Sequence, residues 1–324
     1  MKNKKRGAGF LIVLIMMIMN SGCYGQNSLN VQKKLTVDVI LKSSDNDFWQ
    51  TVRAGAVDAG KEFGIDISFN SPLNENNIDD QIKLVNTAID DKVDAIVLAA
   101  ADYKRLVEVS EKAIDKGIPI IIVDSTIDSN RVSSVIATDN REAARKAGDI
   151  LTSMVKGKAN LGIVSFVKGA ASSDDREAGI YDAIGNYHNI KVIDKIYTNS
   201  DETMSEELTK NMLKQHNEID AIVALNGPST TGAARAIKEL KLEGKVKVIG
   251  FDNTIGEIDY LEDGIIQDTV IQNPYSMGYL GVKHAYDVIN KISIPKTINT
   301  GSTVIDKKNM YLPENEKLLF PFVK

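Results

Sequence analysis

Residues 35–64, LTVDVILKSSDNDFWQTVRAGAVDAGKEFG, predict a buried strand, a polar turn and an amphipathic helix that opens with two aromatic residues. The strand prediction rests on the short apolar run that is typical of a parallel strand covered on both faces, namely Val37, Val39, Ile40 and Leu41. Asp45, Asn46 and Asp47 follow at once, and each of them could cap the next helix. In open α/β sheets, ligands collect beyond the carboxyl ends of the strands. We therefore expect the ligand site at this turn.

The aromatic pair Phe48 and Trp49 has two interpretations. Large aromatic residues at a helix start can form a hydrophobic staple or part of the core. They can equally form a stacking platform, because an aromatic plate holds the C–H face of a sugar ring while polar side chains bind its hydroxyl rim. The pair alone leaves both interpretations open.

The rest of the chain repeats the pattern of apolar strand and helix. A chain of 324 residues exceeds the size of about 250 to 300 residues at which single cores stop growing, so we predict two lobes. Predicted strands cover 65–69, 94–100, 118–124, 133–138, 161–166, 191–196, 221–225 and 246–251, and predicted helices cover 78–90, 103–116, 141–155, 174–187, 202–215, 230–241 and 255–261. This alternation predicts an α/β fold of two similar Rossmann-like lobes, each a parallel sheet flanked by helices.

Polar residues stand where three further apolar runs stop. Asp124 ends IIIVD, Asn226 ends AIVALN and Asp252 ends VIGFD. Each residue alone could be a helix cap. Together with Asn46 they place four hydrogen-bonding groups at carboxyl strand ends in both halves, a distribution that caps alone do not predict.

Composition excludes several classes of function. The net charge of −5 disfavours a nucleic-acid partner. One cysteine rules out an internal disulfide framework, and three scattered histidines argue against a His/Cys metal site, so we expect neither a metal nor a cofactor. The acidic stretch 74–81 lacks the spacing of a calcium loop, and we expect a solvated turn there.

The N-terminus predicts export. Residues 2–6 are rich in Lys and Arg, residues 10–19 are apolar, and Ser21 and Gly22 precede Cys23. The apolar run is shorter than the ~20 residues of a membrane span. Cys23 resembles the lipidated first residue of a bacterial lipoprotein, which implies a signal peptide over 1–23 and a tether over 24–34; the alternative is an uncleaved signal anchor. Both alternatives place the folded part outside the cytoplasmic membrane.

From about residue 35 to its end, the chain resembles the ribose-binding-protein-like family of bacterial sugar-binding proteins, which has the type I periplasmic binding protein fold. The family's aromatic turn falls on Asn46-Asp47-Phe48-Trp49, its hinge pair on Asp139-Asn140, and its Arg-x-x-Gly motif on REAG at Arg176. The resemblance implies sugar-binding roles for Asn46, Phe48, Trp49, Asp124, Arg176, Asn226, Asp252 and Gln272.

Two departures widen the range of sugars. Ser125 takes the place of an arginine of ribose binders, and we count it among the candidate ligand-binding residues. A family aromatic of the second lobe is replaced near Ser200. The sequence therefore predicts a monosaccharide, either a pentose such as xylose or ribose, or a hexose.

The resemblance also implies how the halves are connected and move. The family chain crosses between lobes three times, here near 138–139, 272–273 and 302. This predicts an N-terminal lobe of 35–138 with 273–302, and a C-terminal lobe of 139–272 with 303–324. A ligand that touches both lobes binds the closed form better and shifts the population toward it.

The predicted function is a lipid-anchored receptor, on the outer face of the cell membrane or in the periplasm, that delivers a sugar to a membrane ABC importer. The alternative is a receptor of the same fold that signals to a membrane histidine kinase or a chemoreceptor. A sugar-responsive repressor is not expected, because such a protein needs a basic helix-turn-helix where this chain has a predicted export signal. An enzyme is not expected, since the chain lacks dinucleotide, P-loop and nucleophile-elbow motifs.

Overall fold

The computed structural model describes residues 34–44 and 46–320 and shows two six-stranded sheets. The first sheet contains β1 (Thr36–Ile40), β2 (Asp66–Asn70), β3 (Ala95–Leu98), β4 (Ile120–Val123), β5 (Ser134–Ala137) and β11 (Thr297–Asn299). The second contains β6 (Lys158–Ser165), β7 (Asn189–Tyr197), β8 (Ala221–Ala224), β9 (Lys247–Phe251), β10 (Asp268–Ile271) and β12 (Thr303–Asp306). Cys23 and the predicted signal peptide lie outside the described residues.

The two sheets share one topology. Their strand orders are β11-β5-β4-β3-β1-β2 and β12-β10-β9-β8-β6-β7, so each strand of one sheet has an equivalent in the other. All neighbouring strands are parallel except β10 and β12, which are antiparallel. The predicted α/β fold with two similar parallel sheets is confirmed.

Helices cover both faces of each sheet. On the first sheet they are α1 (Asp47–Phe63), α2 (Ile78–Asp90), α3 (Val107–Asp115) and α9 (Pro274–Ile289); on the second they are α4 (Asn140–Met154), α5 (Ala171–Ile184), α6 (Glu202–Gln215), α7 (Gly227–Glu239), α8 (Ile255–Glu262) and α10 (Pro313–Leu319). Among the described residues, none of the helices has the length and apolar character needed to cross a membrane.

Each sheet separates two apolar cores because side chains alternate along a strand. In the first sheet, Val39 and Val97 pack into the core beneath α1 and α9, whereas Ile40 and Leu98 pack into the core beneath α2 and α3. Burial of such side chains stabilises the fold by about 1.5 to 3 kcal/mol each. The strands are therefore held from both faces, which fixes the positions of their carboxyl ends.

Helices α1 and α9 pack very closely because glycines stand at their contact. A Cβ atom added to Gly278 would lie 1.8 Å from the carbonyl oxygen of Val52, and one added to Gly55 would lie 2.0 Å from that of Tyr275. No side chain fits at these distances. The pair joins the first helix of the described residues to a helix that follows the fifth strand of the second sheet.

The chain passes between the two sheets three times. It leaves the first sheet after β5, returns to it after β10, and leaves it again between β11 and β12. The sequence analysis predicted none of the strands and helices from β10 onward. Three helix starts also differ by three residues or more: the helix expected over 103–116 begins at Val107, the one expected over 174–187 begins at Ala171, and the one expected over 230–241 begins at Gly227.

Candidate functional site

A cavity with about 450 Å³ of space free of protein atoms, its opening included, lies where the carboxyl ends of strands from both sheets meet. From the first sheet and the loops that follow its strands come Lys42, Asn46, Phe48, Trp49, Glu75 and Asp124; from the second side come Phe166, Ser172, Arg176, Asn226, Gly227, Pro228, Asp252, Asn253, Thr254 and Gln272.

All of the predicted ligand-binding residues except Ser125 line this cavity. The Ser125 hydroxyl instead accepts a hydrogen bond from the backbone N–H of Ser172, at 3.2 Å, and Ser125 lines a neighbouring cavity beside the chain crossings. Its neighbour Asp124 faces the main cavity. The prediction of Ser125 as a ligand contact therefore finds no support in the geometry.

The aromatic pair belongs both to the core and to the cavity wall. Phe48 and Trp49 contact each other edge to face, with ring centroids 4.9 Å apart and an interplanar angle of 88°. Trp49 is only 3% exposed and packs with the core of the first sheet. Asn46 caps their helix by accepting a hydrogen bond from the backbone N–H of Trp49 at 3.1 Å. The cap fixes the direction in which both rings leave the helix.

Lys42 is a site residue that the sequence interpretation missed. Its ammonium group is buried, lies 2.7 Å from Asp124 Oδ2 and donates to Ser172 Oγ at 3.2 Å. It also lies 5.8 Å from the centroid of the Trp49 ring. The signal was present, because Lys42 follows the apolar run of β1 just as Asp124 follows that of β4.

Glu75 corrects the expectation of a solvated turn over 74–81. Its carboxylate is buried and accepts hydrogen bonds from Trp49 Nε1 and from Ser200 Oγ, both at 2.7 Å. Burial raises the pKa of Glu75, and the charge of Lys42 opposes that rise. Gln81 is also buried, and its side chain bonds backbone groups that follow β1 and β3. The turn is solvated only at its other positions.

Arg176 is held by Asn140 of the predicted hinge pair, by a backbone carbonyl and by aromatic rings. Its Nε donates to Asn140 Oδ1 at 2.8 Å and its Nη1 to the carbonyl oxygen of Leu225 at 2.6 Å. The guanidinium carbon lies 4.7 Å from the ring centroid of Phe251 and 5.5 Å from that of Phe166. A buried cation in such a rigid frame presents its remaining donors in a fixed direction.

Asp252 and Gln272 form a buried, hydrogen-bonded pair. Gln272 Nε2 donates to Asp252 Oδ1 at 2.7 Å, and the backbone N–H of Gly227 donates to Asp252 Oδ2 at 2.9 Å. Burial raises the pKa of Asp252, while the charge of Arg176 lowers it. Gln272 Oε1 is buried and has no hydrogen-bond partner within the described chain. A buried acceptor without a donor costs about 1 to 3 kcal/mol, so a bound hydroxyl would be stabilised here.

Hydrogen bonds hold the Asn226 side chain, and two aspartates of the cavity have unusual backbone angles. Asn226 caps α7 by accepting from the backbone N–H of Ser229 at 3.0 Å, and its Nδ2 donates to Ser200 Oγ at 2.9 Å. Asp124 and Asp252 have φ angles of 63° and 76°, in the left-handed region that non-glycine residues rarely adopt. Strain of this kind clusters at binding sites.

The donor and acceptor set matches a neutral, polyhydroxylated molecule. Carboxylates accept from hydroxyl groups, an ammonium and a guanidinium donate to hydroxyl or ring oxygens, and amide side chains do both. The cationic and anionic side chains are interleaved, so no single sign of charge dominates the wall. Across residues 34–44 and 46–320, no group of three or more His, Cys, Asp or Glu side chains is placed to hold a metal ion.

Comparisons with known proteins agree with this geometry. A model of the periplasmic binding protein domain matches residues 37–292. A D-ribose/D-allose-binding protein of Pseudomonas aeruginosa is 28% identical over 79% of this chain and 83% of its own length. A carbohydrate transporter solute-binding protein from Agrobacterium radiobacter, solved with D-arabinose, superposes with a TM-score of 0.86 at 31% identity, over 89% of this chain and 99% of that one. An ABC transporter solute-binding protein from Agrobacterium vitis, solved with D-fucose, gives 0.85 at 32% identity, over 88% and 99%.

Proposed function

The chain belongs to the family of periplasmic binding protein domains, and from this premise and the cavity we propose that it captures a monosaccharide outside the cytoplasmic membrane and presents it to an ABC importer. The observation that carries the proposal is a buried polar cavity whose wall comes from both sheets and contains an aromatic pair. The relatives support a sugar ligand, since they are described with ribose, allose, arabinose or fucose.

The proposed binding mode assigns a role to each part of the wall. The ring of the sugar would lie against Phe48 and Trp49, and its hydroxyls would donate to Asp124, Asp252 and the free oxygen of Gln272. Lys42, Arg176 and the amide groups of Asn46 and Asn226 would donate to its oxygens. A sugar that lacks a matching hydroxyl would leave one of these buried groups unpaired, at a cost of about 1 to 3 kcal/mol.

The proposed mechanism is closure of two lobes around the ligand. The lobes would be residues 35–138 with 273–302 and residues 139–272 with 303–324, and the three chain crossings would act as the hinge. A ligand held by groups from both lobes binds the closed form more tightly than the open one, and the population shifts by that difference in affinity. The importer would then recognise the closed surface.

The family supports a location outside the cytoplasm, and the transporter descriptions of the two solved structures support a binding role in transport rather than an enzymatic one. We further propose that Cys23 carries a lipid that anchors the protein to the outer face of the membrane. The two solved structures above are described as transporter proteins, which favours an importer partner over the sensor kinase or chemoreceptor that the sequence left open. Fatty-acid labelling of the wild-type chain, with Cys23→Ser as the control, tests the anchor.

Calorimetric titration of the purified protein tests the proposed sugar ligand. The sugars titrated are D-ribose, D-allose, D-arabinose, D-fucose, D-xylose and D-glucose. We expect one or two of these sugars to bind tightly, with D-glucuronate as a charged control that does not bind. A panel that is silent while circular dichroism shows an intact fold would overturn the sugar assignment.

A further inference from the structure

Glu75 joins the two sides of the cavity through one carboxylate group. It lies in the connection between β2 and α2, on the side of the first sheet. Its Oε1 accepts from Trp49 Nε1 on the same side, and its Oε2 accepts from Ser200 Oγ, which follows β7 of the second sheet. The two oxygens of a single buried side chain therefore have partners on opposite sides of the cleft.

On the side of the second sheet, further hydrogen bonds continue the connection from Ser200. Ser200 Oγ also accepts from Asn226 Nδ2 at 2.9 Å, and Asn226 caps the first turn of α7. Asn199 and Ser200 both have left-handed φ angles, of 53° and 59°. Two consecutive non-glycine residues in this region are unfavourable unless their surroundings hold them. The turn thus projects the Ser200 hydroxyl toward Glu75, and the hydrogen bonds run unbroken from the indole of Trp49 to helix α7.

The environment of Glu75 makes these bonds stronger than surface bonds. Glu75 is only 6% exposed, and the charge of Lys42 acts on its carboxylate. A hydrogen bond inside a protein is electrostatically stronger than one in water, because the surrounding dielectric constant is lower. The bond to Ser200 exists only while the two sides are together, whereas the bond to Trp49 lies within one side.

We propose that Glu75 is a latch, a positioning residue that holds the cleft closed through Ser200 while it orients the Trp49 ring against the ligand. This inference rests on the proposed sugar-binding function. A latch that forms after the ligand has entered acts on the closed state, so it slows release and leaves association unchanged. If Glu75 only anchored its own loop to Trp49, its removal would lower stability and leave the rate of release unchanged.

The test measures release rates by stopped-flow fluorescence of Trp49, the only tryptophan, in the full chain in detergent micelles. The probe is the sugar, among D-ribose, D-allose, D-arabinose and D-fucose, that binds the wild type most tightly. We expect Glu75→Ala and Ser200→Ala each to raise the dissociation rate about 10- to 100-fold, with the association rate within about twofold of wild type. The double variant should release no faster than Glu75→Ala alone, because both changes remove the same bond.

Two further variants serve as controls: one keeps the hydrogen bonds of residue 75, and the other removes a similar bond that does not cross the cleft. Glu75→Gln can accept from Trp49 Nε1 with its oxygen and donate to Ser200 Oγ with its amide, so it should rescue most of the slow release. Ser129→Ala removes a serine–glutamate bond of 2.6 Å, to Glu111, that lies on one side of the cleft. It should leave the dissociation rate unchanged.

The possible outcomes separate the two proposals. A wild type that binds none of the four sugars overturns the proposed function, and the latch with it. Binding that is retained while Glu75→Ala and Ser200→Ala release the sugar at the wild-type rate overturns the latch alone. Additive effects of the two substitutions would also overturn it, because they would show that Glu75 and Ser200 act independently.

Discussion

Replacing Asp252 by asparagine removes one negative charge from the cavity and almost no volume. In the structure the carboxylate accepts from Gln272 through Oδ1 and from the Gly227 N–H through Oδ2. The asparagine oxygen can keep the bond to Gln272, but its amide nitrogen would then face the N–H of Gly227. Arg176, whose charge acts on Asp252, would lose this anionic partner.

The expected loss of affinity follows from these contacts. A hydrogen bond to a charged group contributes about 1.5 to 3 kcal/mol, and an amide can no longer accept from two sugar hydroxyls. At about 1.4 kcal/mol for each factor of ten, the dissociation constant should rise roughly 10- to 150-fold. Stability should change far less, because burial raises the pKa of Asp252 and the folded protein already disfavours the charged form.

Isothermal titration with the sugar that binds the wild type measures this effect, and thermal unfolding checks the fold. Asp268→Asn is the matched control, since Asp268 lies on the same sheet at the opposite end of β10 and does not line the cavity. It should bind the sugar like the wild type. An Asp252→Asn variant with a dissociation constant within about twofold of wild type would refute the assigned role.

Three other predictions concern single residues. The Trp49 ring lines the cavity and is otherwise buried, so its fluorescence should change when a sugar of the panel binds; a tight calorimetric signal with an unchanged spectrum would contradict its place at the ligand. Arg176→Lys keeps the charge but loses the planar fork and the contact with Phe251, so sugar affinity should fall at least about tenfold and melting temperature should fall as well; a variant that is normal in both assays would show that the fork is not used. Burial and the nearby Asp306 raise the pKa of Asp268 from 3.8 to about 6. The stability that Asp268 contributes is therefore present below pH 4 and lost as the pH rises through 6, so Asp268→Asn should raise the melting temperature at pH 8 and not at pH 4; equal shifts at both values would be inconsistent with this titration.

The parallel sheets were predictable because both of their faces are covered. Strands such as Ile120–Val123 are apolar at every position, and this short, continuous run is a strong local signal. The last two described strands gave no such signal. Thr297–Asn299 has three residues and is partly exposed, and Thr303–Asp306 pairs antiparallel with Asp268–Ile271, from which a helix, a strand of the first sheet and two crossings separate it along the chain. Their placement depends on tertiary contacts that sequence periodicity does not report.

The same distinction separates the cavity-lining residues that the sequence predicted from those that it did not predict. Asp124, Asn226 and Asp252 could be found because each ends an apolar strand, and strand ends share one edge of a sheet. Glu75 lies in a loop, and its burial depends on Trp49 and on Ser200, which is 125 residues away along the chain. Ser125 follows Asp124 directly but lines a neighbouring cavity, because consecutive residues need not point in the same direction.

In both sheets, an aspartate with a left-handed backbone follows the equivalent strand. Asp124 follows β4 and Asp252 follows the equivalent β9, and both have left-handed backbones. Each has a buried cation that follows the first strand of its own sheet: Lys42 follows β1 and Arg176 lies on the helix after β6. Strained backbones of this kind cost about 1 to 3 kcal/mol each, and neither half gains from that cost alone. In the proposed binding mode one half would offer a single acid–cation pair to the sugar, and closure would bring the second pair to the same ring.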